Sequence, residues 1–143
     1  MTKISVILPN YNHSKYIINS VNNLVKQSEF IKELIIIDDC SKDKSRVLLQ
    51  TFEKDPLIKI IYNKKNIGTI NCQNLGLSLV TGEYVFFAAA DDFILPGFFY
   101  KAIKHMTVNP HHNLFTGDTI LINEKSNIIG IRPRMCPKIS KGF

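Results

Sequence analysis

The stretch Leu34-Ile35-Ile36-Ile37-Asp38-Asp39 decides the fold. Four apolar residues, three of them β-branched, run together and stop at two acids. A strand with one wet face alternates apolar and polar residues, whereas a strand buried on both faces, as in a parallel sheet, reads as a continuous apolar run. Upstream, Ile4-Ser5-Val6-Ile7-Leu8 has the same character and is expected to end at Pro9, which cannot donate to a sheet ladder. Between the two runs Ile17, Val21 and Leu24 recur at helical spacing, with Ile18 and Val25 widening the stripe and Ser14 as the expected cap. Downstream a helix is expected over residues 44–54, with Leu48 and Phe52 one turn apart, then a strand over 58–62. Asn66-Ile67-Gly68 breaks the chain before a helix over 69–80. Thr81-Gly82 then turns into a strand over 84–88 that is ended by Asp91-Asp92. Pro96-Gly97 opens a helix holding Phe98, Phe99, Ala102, Ile103 and Met106. Strands over 114–122 and 128–131 follow, joined by the polar turn 123–127.

Strands alternating with helices imply βαβ units. The fold class is therefore α/β, a mainly parallel sheet flanked by helices on both faces, with right-handed crossovers. The length of 143 residues predicts a single domain over 1–143. In such sheets ligands bind outside the carboxyl ends of the strands. The polar clusters of this chain fall at those ends: Asn10-Tyr11-Asn12, Asp38-Asp39 and Asp91-Asp92.

Composition excludes several classes. Apolar residues make up 45% and charged residues 21%, which is globular rather than disordered or collagen-like. The longest central apolar stretch, Val85-Phe86-Phe87-Ala88-Ala89-Ala90, is far short of the ~20 residues that span a bilayer. The given sequence opens on a strand pattern, so no secretion leader is expected. Cys40, Cys72 and Cys136 are odd in number and form no CxxC pair, which fits reduced thiols and a cytoplasmic setting. There is no GxGxxG after the first strand and no GxxxxGK[ST], which argues against a dinucleotide dehydrogenase and a P-loop NTPase. Net charge is +6, suited to a phosphate-bearing partner or an anionic membrane surface, or simply to a solvated lysine surface. Arg132, Arg134, Lys138 and Lys141 cluster without interleaved aromatics, so no nucleic-acid partner is expected. Peripheral association with the inner face of a membrane stays open on the same basic residues. His13, His105, His111 and His112 show no metal-ligand spacing beyond the neighbours His111-His112, read as surface loop.

The acidic pairs each have two readings. Asp91 and Asp92 are hard oxygen ligands for magnesium or manganese, with a substrate diphosphate completing the shell, or one of them caps the following helix. Asp38-Asp39 either hold a base or ribose, or form a turn in which Ser41 or Asp43 caps the next helix. Tyr11 either stacks on a base or is a rim aromatic, and Cys40 is read as an inert thiol.

Taken in order, Val6-Ile7-Leu8-Pro9-Asn10-Tyr11-Asn12, Ile36-Ile37-Asp38-Asp39-Cys40-Ser41-Lys42-Asp43, Asn66-Ile67-Gly68 with Asn74-Leu75-Gly76, Gly82-Glu83-Tyr84 and Ala89-Ala90-Asp91-Asp92 resemble the signature of the family 2 inverting glycosyltransferases. The resemblance covers about residues 4–96. It implies a Rossmann-like GT-A nucleotide-diphospho-sugar-binding fold, a nucleotide-diphosphate sugar donor (often a UDP-sugar), a divalent Mn²⁺ or Mg²⁺ and a setting such as polysaccharide biosynthesis. Carried onto this sequence, it implies that Pro9 and Tyr11 line the base pocket and that Asp39 binds the uracil or ribose side. Asp91 would face ribose or metal, and Asp92 would be the metal ligand. Ala89 stands where the first acid of Asp-x-Asp usually is. The family's catalytic base, an Asp or Glu that deprotonates the acceptor, has no match here. Only Asp118 and Glu124 are acidic after Asp92, and neither is assigned. The resemblance therefore implies a truncated, donor-binding portion, with a sugar, lipid-linked or protein acceptor and a homo-oligomeric state both left open. The alternative is a non-catalytic module that binds a nucleotide or a partner protein.

Overall fold

The structure is a computed structural model and describes residues 3–133. Arg134, Cys136, Lys138 and Lys141 lie outside the described residues. The chain packs as two units, Met1–Phe99 and Tyr100–Phe143.

The first unit runs β1 (Ile4–Asn10), α1 (Ile17–Val25), β2 (Ile31–Asp38), α2 (Ser45–Leu49), β3 (Ile58–Tyr62), α3 (Thr69–Leu77) and β4 (Tyr84–Phe87). Its four strands form a parallel sheet in the order β3-β2-β1-β4. The chain winds outward from β1 through β2 to β3, then crosses back to place β4 on the other side of β1. The winding direction thus reverses between β1 and β4, the point where a crevice opens at the carboxyl ends of such a sheet.

Paired residues of a parallel sheet share a face. Val6 pairs with Leu34 and Phe86, and Leu8 with Ile36. Val6, Leu8, Leu34 and Ile36 have no exposure at all. The buried stripe of α1, Ile17, Val21 and Leu24, and Leu49 of α2 cover this face, each contributing roughly 1.5–3 kcal/mol before entropy is charged. On the opposite face Ile7, Ile35 and Ile37 pack with Cys72 of α3, with Leu75 and Ile61 beside them. Gly76 permits that approach. A Cβ there would stand 2.5 Å from Cγ2 of Ile7.

Several expected boundaries move. β1 does not stop at Pro9 but continues to Asn10, with Pro9 opposite Ile37. The backbone of Ile7 faces β4, since Ala88 N–H donates to Ile7 O (2.9 Å), and that of Asn10 faces β2, since Asp39 N–H donates to Asn10 O (2.8 Å). By alternation the missing N–H of Pro9 faces β4. Proline therefore ends pairing on the β4 side while β2 stays paired, and the crevice opens there. Ser14 does not cap α1. Its N–H donates to Asp43 Oδ2 (2.8 Å), and His13 O takes the first amides of the helix. The helix expected over 44–54 is α2 followed by a 3₁₀ turn, Gln50–Phe52, with Thr51 Oγ1 donating to Leu48 O (2.7 Å). Leu49 rather than Leu48 is the buried leucine. α3 ends at Leu77 rather than at 80, where Ser78 Oγ takes Leu75 O (2.7 Å). Serine and threonine hydroxyls compete in this way with the helical ladder.

α4 (Phe98–Val108) begins at the end of the first unit and continues into the second. There β5 (Thr119–Ile122) and β6 (Ile128–Arg132) form an antiparallel hairpin. The strand expected from residue 114 is confined to the four residues that find partners. Asn123 Oδ1 closes the turn by accepting the N–H groups of Lys125 and Asn127. Ile120, Ile122, Ile128, Ile129 and Ile131 of the hairpin are exposed. Among the described residues no helix is long and apolar enough to cross a membrane.

Candidate functional site

A cavity of about 280 Å³ opens at the carboxyl ends of β1 and β4. β1 delivers Pro9, Asn10 and Tyr11, β4 delivers Phe87 and the segment from Ala88 to Asp92, and α3 adds Thr69, Cys72 and Gln73. Asp39, from the end of β2, is also in the wall. The five residues singled out in the sequence, Pro9, Tyr11, Asp39, Asp91 and Asp92, therefore line one cavity, although up to 83 positions separate them (Pro9 to Asp92; 92 − 9). Tyr11 is 42% exposed, a ring open on the rim.

The two acidic pairs are in opposite electrostatic states. Asp38 is fully buried and not in the wall. Its Oδ1 accepts from Arg46 Nε (2.7 Å) and Ser41 N (3.1 Å), and its Oδ2 from Asn10 Nδ2 (3.0 Å). Arg46 also donates to Asn63 O, beyond the end of β3, and lies 5.5 Å from the Tyr62 ring centre. Burial, helped by Glu53, pushes the Tyr62 phenol up to about 12. Asp39 is tied to the protein as well. Asn63 Nδ2 donates to Oδ1 (2.8 Å), Gly68 N to Oδ2 (2.7 Å), and Ile67 N to both (2.9 and 3.1 Å). Burial works to raise its pKa, but the bonds from Asn63, Ile67 and Gly68 outweigh it, and the carboxyl sits below its ordinary range. Gly68 has φ +84°, a conformation open to glycine, and this aims its N–H at the carboxylate. The same charge, after burial itself, drives the Cys72 thiol up to about 11. Cys40 takes φ +65° between these groups and the exposed Lys42.

Of the two expected caps, Asp43 is the one used. It accepts Ser45 N at the start of α2 (2.9 Å) as well as Ser14 N, and these bonds overcome burial to hold its carboxyl at about 2. Ser41 Oγ instead ties the β1 loop down, accepting from Asn12 N (3.0 Å) and Asn10 Nδ2 (3.2 Å).

Asp91 and Asp92 have no such partners. Their carboxylates accept no hydrogen bond and pair with no cation among the described residues. The cap reading does not fit, because the next helix begins at Phe98. Partial burial and the charge of Asp91 raise the Asp92 pKa. Two adjacent, unpaired hard-oxygen donors fit one or two positions of a divalent-ion shell. No group of three His, Cys, Asp or Glu among the described residues could hold a metal unaided, so the remaining positions would have to come from a ligand.

The model of the family described as Glycosyl transferase family 2 matches residues 5–138. The chain belongs to glycosyl transferase family 2. It is 36% identical over 129 residues to an uncharacterized glycosyltransferase of Haemophilus influenzae, covering 89% of this chain and 40% of that protein. It is 32% identical over 143 residues to the poly(ribitol-phosphate) β-N-acetylglucosaminyltransferase TarS of Staphylococcus aureus, covering 96% of this chain and 23% of TarS. The crystal structure of S. aureus TarS 1–349 in complex with UDP-GlcNAc superposes with a TM-score of 0.68 at 30% identity, over 76% of this chain and 32% of that one. The chain thus spans well under half the length of these family 2 relatives.

The sequence reading missed Arg46 and Asn63, which fix the two acids at the end of β2. Asn63 follows β3 directly, so the rule that polar residues at strand ends build the site could have found it. Arg46 is the only arginine before Arg132. A planar fork is the side chain suited to bridging a buried carboxylate and a carbonyl, and that was the available signal.

Proposed function

We propose that this family 2 chain is the donor-binding part of a glycosyltransferase. It takes a nucleotide-diphosphate sugar, a UDP-sugar by preference, together with Mn²⁺ or Mg²⁺. The observation that carries the reading is the gathering of Pro9, Tyr11, Asp39, Asp91 and Asp92 around one cavity at the switch point of the sheet. The likeness to TarS, whose structure holds UDP-GlcNAc, supports it. In this reading Tyr11 stacks on the base and Pro9 walls it. Asp39 faces the base or ribose with the acceptor capacity that its protein bonds leave, and Asp91 faces the ribose or the metal. Asp92 holds the metal, which when bound offsets charge on the departing diphosphate. The acceptor hydroxyl attacks the anomeric carbon in line as the carbon–oxygen bond to the diphosphate breaks, which inverts that carbon. The hydroxyl proton passes to a base that no described residue of this cavity supplies. A sugar, a lipid-linked sugar or a protein would serve as acceptor.

Calorimetric titration with UDP and Mn²⁺ tests the reading. Binding is expected, weakened in Asp39→Ala and independent of metal in Asp92→Ala. Absence of binding by any nucleoside diphosphate overturns it. The exposed apolar hairpin favours a second reading, a partner-binding module, because such patches mark interaction surfaces. Turnover of a UDP-sugar by this chain at ordinary enzyme rates decides against the module.

A further inference from the structure

The cavity wall contains three carboxylates, Asp39, Asp91 and Asp92, and no lysine or arginine among its described residues. The lining includes one histidine, His13. His13 stands between β1 and α1, and its carbonyl accepts the amides of Tyr16 and Ile17 (both 2.9 Å), which fixes where its ring leaves the backbone. The ring meets Tyr16 edge-on, with centroids 6.5 Å apart. Nδ1 is sealed from solvent with no hydrogen-bond partner among the described residues. A sealed N–H without an acceptor is more costly than a sealed lone pair that a neutral ring can leave bare. The ring proton therefore belongs on Nε2, the nitrogen that is left open. α1 is tied to the segment after β4, since Ser20 Oγ donates to Ala89 O (3.2 Å) and Asn23 Nδ2 to Ile94 O (3.2 Å). The neighbours of His13 are tied to the loop after β2, Asn12 N donating to Ser41 Oγ (3.0 Å) and Ser14 N to Asp43 Oδ2 (2.8 Å), and His13 lines the same cavity as Asp91 and Asp92, whereas Asp39 is held on the α3 side by Ile67 and Gly68.

We infer that His13 is a further donor-contact residue, its Nε2–H donating to a diphosphate oxygen of the nucleotide. The inference rests on the donor-binding reading above, and the experiment separates the two. Uridine and UDP are titrated, with Mn²⁺ held constant, into the whole 143-residue chain and its His13→Ala and His13→Gln variants. Glutamine places an amide N–H near the position of Nε2. Loss of a hydrogen bond to a charged oxygen predicts that His13→Ala weakens UDP binding by about tenfold or more. Uridine affinity should be unchanged, and His13→Gln should recover most of the UDP affinity. Equal UDP affinity in wild type and His13→Ala overturns the His13 inference and leaves the donor site standing. Equal losses for uridine and UDP assign His13 to the cavity wall or the base and also overturn it. A wild-type chain that binds no UDP removes both readings. Long-range ¹H–¹⁵N spectra of the wild-type imidazoles, assigned with His13→Gln, give an answer that needs no alanine variant to fold. The Nε2–H tautomer is expected in the free chain, with a shift on adding UDP and none on adding uridine. The opposite tautomer, or an unmoved His13 signal at saturating UDP, refutes the contact.

Discussion

Removing the Arg46 guanidinium tests whether the carboxyl end of β2 is held by charge. Asp38 is fully buried, while the Arg46 side chain is 37% exposed. Taking away one partner of a fully buried ion pair costs roughly 3–5 kcal/mol because the other charge is stranded. Here the cost is smaller. Asp38 keeps its bonds from Asn10 and Ser41, and water can enter where the half-exposed guanidinium lay. Against that, Arg46→Ala also strips the donor from Asn63 O and the cation from the Tyr62 ring. The expected loss is about 2 kcal/mol. At a urea slope of roughly 1–3 kcal/mol per molar, the unfolding midpoint should fall by about 1 M. Arg46→Lys should recover less than half of this, because an ammonium cannot span the carboxylate and the carbonyl together. The double variant Asp38→Asn/Arg46→Met should be more stable than Arg46→Ala, since no charge is then stranded. Circular dichroism in urea reads all three. An Arg46→Ala midpoint within about 0.2 M of wild type, or a lysine variant equal to arginine, would refute the assignment of this pair as the tie between the ends of β2 and β3.

Three other outcomes follow from the same geometry. Asp43 has a folded pKa of about 2 against an ordinary 3.8, so the unfolded chain takes up the proton first. Its contribution is whole above about pH 5 and drains away as pH falls toward 2, amounting to at most ~2 kcal/mol at ~1.4 kcal/mol per unit. Asp43→Asn should flatten the acid limb of a stability–pH curve, and an unchanged limb would count against the two bonds to Ser14 and Ser45. Cys72, buried and with its thiol raised to about 11, should resist iodoacetamide in the native chain at pH 8 and react fully in urea, as read by peptide mass mapping. Native labelling at the urea rate would contradict the packing of α3 on the sheet. Gly76→Ala should cost about 1–3 kcal/mol by forcing a methyl against Ile7, and a neutral melting temperature would show that α3 can shift away.

Much of the fold was legible because burial on both faces writes itself as unbroken apolar runs. Ile35, Ile36 and Ile37 could only belong to a strand covered above and below, and the helical stripe Ile17, Val21 and Leu24 could only be one of its covers. The boundaries were less legible, since hydroxyls decide them. Ser78 and Thr51 take carbonyls that the helices would otherwise use, and nothing in hydrophobic period reports this. Pro9 misled for a related reason. A proline ends pairing only on the side its nitrogen faces, and which side that is depends on the strand order. A linear reading does not contain that order.

The candidate site shows the same division between residue type and partner. Spacing and residue type brought Asp38, Asp39, Asp91 and Asp92 forward as one class of acid. The structure separates them by what they touch. The pair after β2 is spent on the protein itself: Asp38 on Arg46, Asn10 and Ser41, and Asp39 on Asn63, Ile67 and Gly68. Among the described residues the pair after β4 is spent on nothing, and Asp92 is pushed up by burial and by its neighbour. A fold that ties one acidic pair to its own groups, while holding another in a cavity wall with no partner among the described residues, leaves that second charge open to a ligand. The proposed divalent ion with a diphosphate would meet that demand, because the ion would answer the carboxylates and the diphosphate the ion.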